Sequence, residues 1–142
     1  YEQGYTDLTG IEVNADAFDV MGETYPDLAD AGTFYHAAVE NLVTEFDDGR
    51  FDAVFSVETL QHIHPDAEWV FAELARVTDD LLVTVENEGD DPDAIGDVNY
   101  VKEDVPLYYR DWRAIFTDLG MTEVEHRQGD RDTFRVFRWP DA

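Results

Sequence analysis

One acidic side chain, Glu12, stands at the end of the first β-branched run of the chain. A carboxylate at the end of a strand can accept two hydrogen bonds from the diol of a ribose, as acids do in nucleotide-binding α/β folds. In a chain with 34 acidic residues, a solvated strand-end acid is the alternative. Glu12 is therefore a candidate for binding a nucleoside, with that alternative left open.

Polar groups also follow the later apolar runs. The segment Val39-Glu40-Asn41-Leu42 can present backbone N–H groups and a carboxylate or amide to an adenine edge, or it is an ordinary turn. Ser56 and Glu58 flank the end of the third run, where Glu58 is either a polar pocket group or the first-turn acid of a short helix. Glu86 and Asn87 end the fourth run.

The pair His62 and His64 suggests a metal site, but a third ligand at suitable spacing is lacking and the chain has no cysteine. We therefore predict no metal. His64 precedes Pro65, which is typical of a helix entry, and His62 is predicted to face the cleft as a base or a polar contact. Ser56 is the only serine and lies in no nucleophile-elbow sequence, so a catalytic triad is not expected.

Strands and helices alternate in the elements that must position these residues. Apolar runs predict strands over residues 8–13, 33–38, 51–57 and 81–85. The last two runs are apolar on both faces, which is typical of buried parallel strands. Capping residues and helical spacing predict helices from Asn14 to about Thr24, from Pro65 onward, and from Trp112 to Gly120.

The rest of the chain completes the predicted fold. Residues 88–106 are predicted to be a loop, and the alternating segments 121–127 and 132–139 predict an antiparallel hairpin around Gly129. This order predicts one α/β domain over residues 1–142, with a mostly parallel sheet and a C-terminal antiparallel hairpin. Since ligands bind at the carboxyl ends of strands in such sheets, the candidate residues are expected at that edge.

Composition excludes several classes of partner. Nine basic against 34 acidic residues give a formal charge of −25, which argues against nucleic acid and anionic membranes. No apolar stretch approaches the ~18 residues of a membrane span, and no targeting segment is present, so a cytoplasmic protein is expected. The acidic surface with Lys102 as its single lysine resembles proteins of salt-loving microbes, so we expect a halophilic protein.

Together these segments resemble the class I methyltransferases that use S-adenosylmethionine. Residues 8–14 are similar to that family's second strand, and residues 39–42 to the segment after its third strand. The strongest likeness is in residues 51–63, which resemble the fourth strand and the turn beyond it. Residues 69–77 resemble the next helix, and the terminal hairpin resembles the sixth and seventh strands.

The resemblance implies a Rossmann-like three-layer sandwich, S-adenosylmethionine as cofactor, and methyl transfer to a small-molecule acceptor. It places Glu12 at the cofactor ribose, and the further cofactor candidates are Val39, Glu40 and Ser56. The acceptor-side candidates are Glu86, Asn87, Tyr108 and Tyr109. His62 or the carboxylate of Glu58 is the candidate for removing the acceptor proton.

The chain departs from the family in two respects. Ala38 stands where many members have an acid that contacts adenine, and the family's first strand with its glycine-rich loop is absent from the sequence. We therefore expect an N-terminally incomplete domain that binds the cofactor weakly or not at all. The strands over residues 8–13 and 51–57 are then expected to pair directly, with a strand from another copy, and hence a homodimer, as the alternative.

Two other functions remain open from the sequence. A non-catalytic Rossmann-like remnant can act as a structural or protein-interaction domain, because an unfilled strand position exposes backbone edges to a partner. A nicotinamide-dependent dehydrogenase fits less well, since its glycine fingerprint is also absent and the terminal hairpin suits it poorly.

Overall fold

The computed structural model describes residues 1–102 and 104–141. The chain divides into two compact units, Tyr1–Glu45 and Phe46–Ala142, which we call the N-terminal unit and the C-terminal unit. Both combine strands with helices, so the predicted α/β class is confirmed. The single domain over residues 1–142 stays a prediction.

In the N-terminal unit two short strands pair in parallel. β1 (Thr9–Glu12) and β2 (Thr33–His36) align with Glu12 opposite His36, so both strands end at the same edge. The helices of this unit are α1 (Ala15–Thr24), α2 (Pro26–Ala31) and α3 (Val39–Leu42). Both predicted strands are therefore present, each shorter than the apolar run that predicted it.

Local sequence signals explain where these helices begin. The Asn14 side chain accepts a hydrogen bond from the Asp16 N–H (3.0 Å) and caps α1, as predicted. Pro26 follows the end of α1 but also opens α2, a helix that the sequence analysis missed. Proline suits that first helical position because its missing N–H has no partner to lose there.

The C-terminal unit is built on a four-stranded sheet in the order β3-β4-β8-β7. Its strands are β3 (Phe51–Val57), β4 (Thr78–Glu86), β5 (Val98–Lys102), β6 (Val105–Tyr108), β7 (Thr122–Gln128) and β8 (Thr133–Arg138). Its helices are α4 (Trp69–Val77) and α5 (Trp112–Asp118). β3 and β4 are parallel, whereas β8 is antiparallel to both β4 and β7, which confirms the predicted terminal hairpin.

An aromatic core fills the C-terminal unit. Trp112, Phe116 and Phe137 are fully buried, and the ring centroids of Phe116 and Phe137 lie 5.1 Å apart. Phe71 on α4 meets Trp112 edge-on at 4.9 Å. The predicted apolar face of α4 is therefore packed against α5, and burial of these rings stabilises the unit.

β3 was predicted to be buried, and that prediction is wrong for the described residues. Phe55 is 77% exposed and Val57 is 52% exposed. The Glu58 N–H donates to the Val85 carbonyl of β4 (2.8 Å), so by alternation the N–H groups of Phe55 and Val57 point away from β4, to the outer edge of the described four-stranded sheet. Within the units, β1 pairs with β2 and β3 pairs with β4, so direct pairing of β1 with β3 stays a prediction.

The predicted loop over residues 88–106 contains a strand. β5 pairs with β6 in an antiparallel hairpin whose register places Asn99 opposite Leu107. Pro106 lies inside β6, which is tolerated in a two-stranded sheet because such a strand has a free edge. The chain leading to β5 turns at Gly89 and Gly96, which adopt φ values of +73° and +91°.

Neither a membrane-spanning helix nor a cluster of metal-ligating side chains is found in the part of the chain that the structure describes. No helix there has the length and apolar composition needed to span a bilayer. No group of three or more acidic or histidine side chains is arranged there to hold a metal ion. His64 instead accepts a hydrogen bond from the Asp66 N–H (3.1 Å) and caps the turn that begins at Pro65, as predicted.

Candidate functional site

The N-terminal unit places its candidate residues at the carboxyl ends of β1 and β2. Glu12 is exposed, and its Oε1 accepts a hydrogen bond from the Asn14 N–H (2.8 Å). Among the described residues its Oε2 has no hydrogen-bond partner. Val39 and Glu40 are half-buried at the start of α3, where Ala38 provides no side-chain cap. This edge offers one oriented carboxylate with a free oxygen.

Glu86, the last residue of β4, organises the corresponding edge of the C-terminal unit. Its carboxylate is 0% exposed and accepts hydrogen bonds from the Ser56 hydroxyl (2.8 Å) and the N–H groups of Thr59 (3.1 Å), Leu60 (3.2 Å) and Gln61 (3.2 Å). Burial raises the pKa of Glu86 above its ordinary value, and these hydrogen bonds oppose the rise without cancelling it.

This burial argues against the predicted role of Glu86, whereas the predicted role of Ser56 stays a prediction. Glu86 was predicted to face the acceptor, but its carboxylate has no exposed surface and is fully engaged by residues 56–61. Ser56 was predicted at the cofactor, and its hydroxyl hydrogen is directed to Glu86. In this structure both side chains hold the segment after β3 in place.

The chain leaves β3 through a left-handed residue, Glu58, with φ of +48°. A non-glycine residue in this region costs on the order of 1–3 kcal/mol and persists only where its surroundings hold it. Here the Glu58 N–H donates to Val85, and the next three N–H groups converge on Glu86. The Glu58 carboxylate points outward and contacts Arg131 at the tip of the β7–β8 hairpin.

His62 lies in a 3₁₀ turn, Leu60–His62, and its partners define its tautomer. Nδ1 lies 2.8 Å from the Pro106 carbonyl oxygen, which only accepts, so Nδ1 carries the proton and donates it. Nε2 lies 3.4 Å from the Gln61 side-chain nitrogen and is the acceptor there. The Gln61 oxygen in turn accepts from the Asn87 N–H (2.7 Å). The single lone pair of the ring is thus on Nε2, where it accepts the long hydrogen bond from Gln61.

The remaining acceptor-side candidates lie near this turn. The Asn87 side chain accepts from the Gly89 N–H (2.9 Å) and shapes the exit from β4. Tyr108 and Tyr109 both line a cleft of about 280 Å³, and the Tyr109 hydroxyl accepts from the Asn99 amide (2.8 Å). Hydrogen bonds therefore bring Ser56 and residues 59–61 to residues 86–87, whereas Tyr108 and Tyr109 line a separate cleft and the Glu58 carboxylate points to Arg131.

Sequence reasoning missed Arg110, which is 5% exposed. Its guanidinium donates to the carbonyls of Leu60 (3.1 Å) and Ile63 (2.5 Å) and to the Glu68 carboxylate (2.9 Å). It also lies 5.1 Å from the ring centroid of Phe71. A signal was available, because this arginine stands among aromatic residues in a chain with few basic residues.

A family described as "Methyltransferase domain" matches residues 1–80, more than half of the chain. No curated protein matches the chain. A similar solved structure is the Burkholderia thailandensis 1,6-didemethyltoxoflavin-N1-methyltransferase with bound 1,6-didemethyltoxoflavin and S-adenosylhomocysteine. It is 18% identical with a TM-score of 0.74, and the match covers 99% of this chain and 64% of that one, less than two thirds of its length.

Two further solved structures are described as S-adenosylmethionine-dependent methyltransferases. The Mesorhizobium loti protein is 11% identical with a TM-score of 0.72, and the match covers 96% of this chain and 82% of that one. The Methanosarcina mazei protein is 16% identical with a TM-score of 0.69, covering 96% and 83%. At such identities the likeness concerns the fold, and it confirms the predicted Rossmann-like α/β class.

Proposed function

Because the chain belongs to the methyltransferase domain family, we propose that its domain transfers a methyl group from S-adenosylmethionine to a small-molecule acceptor. The observation that carries the proposal is the extent of the family match. Residues 1–80 include both the strand-end carboxylate of Glu12 and the turn that bears His62. The small molecule held by the Burkholderia thailandensis enzyme supports an acceptor of that size class.

The carboxyl end of β1 fits the nucleoside half of this cofactor. When bound, S-adenosylmethionine supplies a methyl group already activated on a sulfonium, so the protein mainly aligns the reactants and excludes water. Glu12 is exposed at the carboxyl end of β1, and its Oε2, which no described residue contacts by a hydrogen bond, can accept a ribose hydroxyl hydrogen. Val39 and Glu40 follow the neighbouring strand and are the candidates for the adenine side.

The turn after β3 provides the acceptor-side chemistry. The lone pair of His62 is on Nε2, because Nδ1 donates to Pro106, and an acceptor can reach it by displacing the long contact with Gln61 (3.4 Å). That nitrogen can accept the proton that an acceptor hydroxyl or amine loses on methylation. Glu58 offers a second, partly exposed carboxylate, and Tyr108 and Tyr109 line the adjoining cleft.

Titration of the 142-residue chain with S-adenosylhomocysteine, followed by NMR chemical shifts, tests this proposal. We expect weak binding, in the millimolar range, since the sequence has no glycine-rich segment to approach the cofactor closely. Glu12→Ala is expected to weaken binding about tenfold, because a charged hydrogen bond is lost. Glu23→Ala is the matched control, because Glu23 is an exposed residue of α1, and this variant should leave binding unchanged.

Two outcomes would count against the proposal: no shift at the highest ligand concentration, or equal effects of the two substitutions. A second candidate function, a non-catalytic interaction domain, is favoured by the outer edge of β3 with Phe55 and Val57 exposed. It predicts no response to S-adenosylhomocysteine, together with pairing of a partner strand along that edge.

A further inference from the structure

The turn after β3 is held between two buried charges of opposite sign. At its start, the N–H groups of Thr59, Leu60 and Gln61 donate to the carboxylate of Glu86. At its end, carbonyls are held by the guanidinium of Arg110. An anion at the amino end and a cation at the carboxyl end both complement the dipole of a helical turn.

Arg110 provides three directed contacts from one side chain. Two nitrogens donate to the carbonyls of Leu60 and Ile63, on either side of His62, and Nε donates to Glu68. The guanidinium lies 5.2 Å from the ring centroid of Tyr108 and 5.8 Å from that of Trp112, which restricts its orientation. A planar fork of donors fits this arrangement, whereas a lysine ammonium is a point charge on a flexible stem.

The same stretch of chain also holds the ring of His62. Pro106, four residues before Arg110, accepts the Nδ1 hydrogen at 2.8 Å. Within residues 106–110, Arg110 therefore holds the backbone of the turn and Pro106 holds the imidazole of His62. Displacing the turn relative to β6 would lengthen the contact that selects the Nδ1–H tautomer.

We propose that Arg110 is a positioning residue, which keeps His62 in the Nδ1–H tautomer, with its lone pair on Nε2, by holding the carbonyls of Leu60 and Ile63. The role of that lone pair in methyl transfer rests on the function proposed above. The positioning itself does not, because it is a property of the protein without cofactor or acceptor.

Side-chain ¹⁵N–¹H spectra of the histidines test the proposal, with His62 assigned by a His62→Gln variant. We expect His62 to show Nδ1–H in the wild type. Arg110→Lys is expected to lower the ratio of the Nδ1–H to the Nε2–H tautomer about tenfold, because the two carbonyls lose their common donor. His36 provides an internal reference of opposite tautomer, since its Nε2 donates to the Val13 carbonyl (3.0 Å).

Arg113→Lys is the matched control, because this neighbouring arginine is 67% exposed and pairs with Glu123 at 3.5 Å. It should leave His62 unchanged. A folded Arg110→Lys variant with a lower melting temperature but a wild-type His62 signal would overturn the proposal, since that is the result of a purely structural role.

Glu68→Gln decides the question if Arg110→Lys does not fold. Glu68 is half exposed, and its replacement removes one anchor of the guanidinium while leaving both carbonyl contacts possible. We expect a change in the His62 tautomer ratio of the same sign but smaller, about threefold. An unchanged ratio in this variant would overturn the proposal. Loss of S-adenosylhomocysteine binding with intact His62 positioning would count only against the proposed function.

Discussion

The ends of β1 and β4 carry the same residue type in opposite environments. Glu12 is exposed, accepts one hydrogen bond and keeps an oxygen free among the described residues. Glu86 is fully buried and is surrounded by donors from residues 56–61. The first carboxylate is available to a ligand, whereas the second is committed to holding a turn. The role of a glutamate at a strand end is therefore determined by the residues that surround it and not by its position alone.

The largest expected effect separates the two glutamates by stability. Glu86→Ala leaves a hydroxyl and several buried N–H groups without their acceptor, so the free energy of unfolding should fall by about 3 kcal/mol or more. Glu12→Ala removes an exposed side chain and should cost below about 0.5 kcal/mol. Urea unfolding of both variants measures the difference, and equal losses would break the comparison.

Salt should distinguish the exposed acids from the buried one. The formal charge of −25 repels itself, and ~1 M salt shortens the screening length to about 3 Å, so molar KCl should raise the melting temperature by about 5 °C. Because Glu86 is buried, Glu86→Gln should show the same salt response. Calorimetry in dilute and concentrated KCl tests this. A melting temperature that stays constant or falls in KCl would contradict the halophilic interpretation.

A smaller effect concerns pH. Burial raises the pKa of Glu86 in the folded state, so the folded protein binds this proton more tightly than the unfolded chain does. The contribution of protonation to stability is therefore present at low pH and is lost as the pH rises through the raised pKa. The unfolding free energy of the wild type, relative to Glu86→Gln, should increase as the pH falls from 7 to about 5. A relative decrease would mean that hydrogen bonding outweighs burial.

A small effect on stability is also expected for a carboxylate of intermediate exposure. The Glu58 side chain is 38% exposed, and its partner Arg131 is 64% exposed. Exposed ion pairs contribute little, so Arg131→Ala should lower the free energy of unfolding by less than about 1 kcal/mol. Chemical denaturation measures it. A loss as large as that expected for Glu86→Ala would show that the exposure of these carboxylates does not determine how much each contributes to stability.

The sequence predicted elements whose signals are local. The bounds of β3 and the cap of α1 follow from an apolar run and from Asn14, and the terminal hairpin follows from its turn and alternating strands. The β5–β6 hairpin was missed because glycines, acids and Pro106 are typical of a loop. The exposure of Phe55 could not be predicted, since it depends on which strands lie beside β3.

The candidate site was predictable only in part, for the same reason. His62, Glu58 and Ser56 follow β3 directly, so their proximity is local. Arg110 reaches Leu60 across 50 positions, and no spacing rule indicates such a contact. The roles of Glu12 and Glu86 differ through burial, which is a property of the folded chain and not of the residue type.

The outer edge of β3 has a consequence for how copies of the protein behave in concentrated solution. Phe55 and Val57 lie beside backbone groups that can pair with an identical edge, the arrangement from which ordered aggregates grow. At neutral pH the charge of −25 keeps copies apart. Near the isoelectric point of about 4.1 that repulsion disappears. The negative charge of the acidic side chains thus opposes association of copies through the exposed β3, and acidification removes this repulsion.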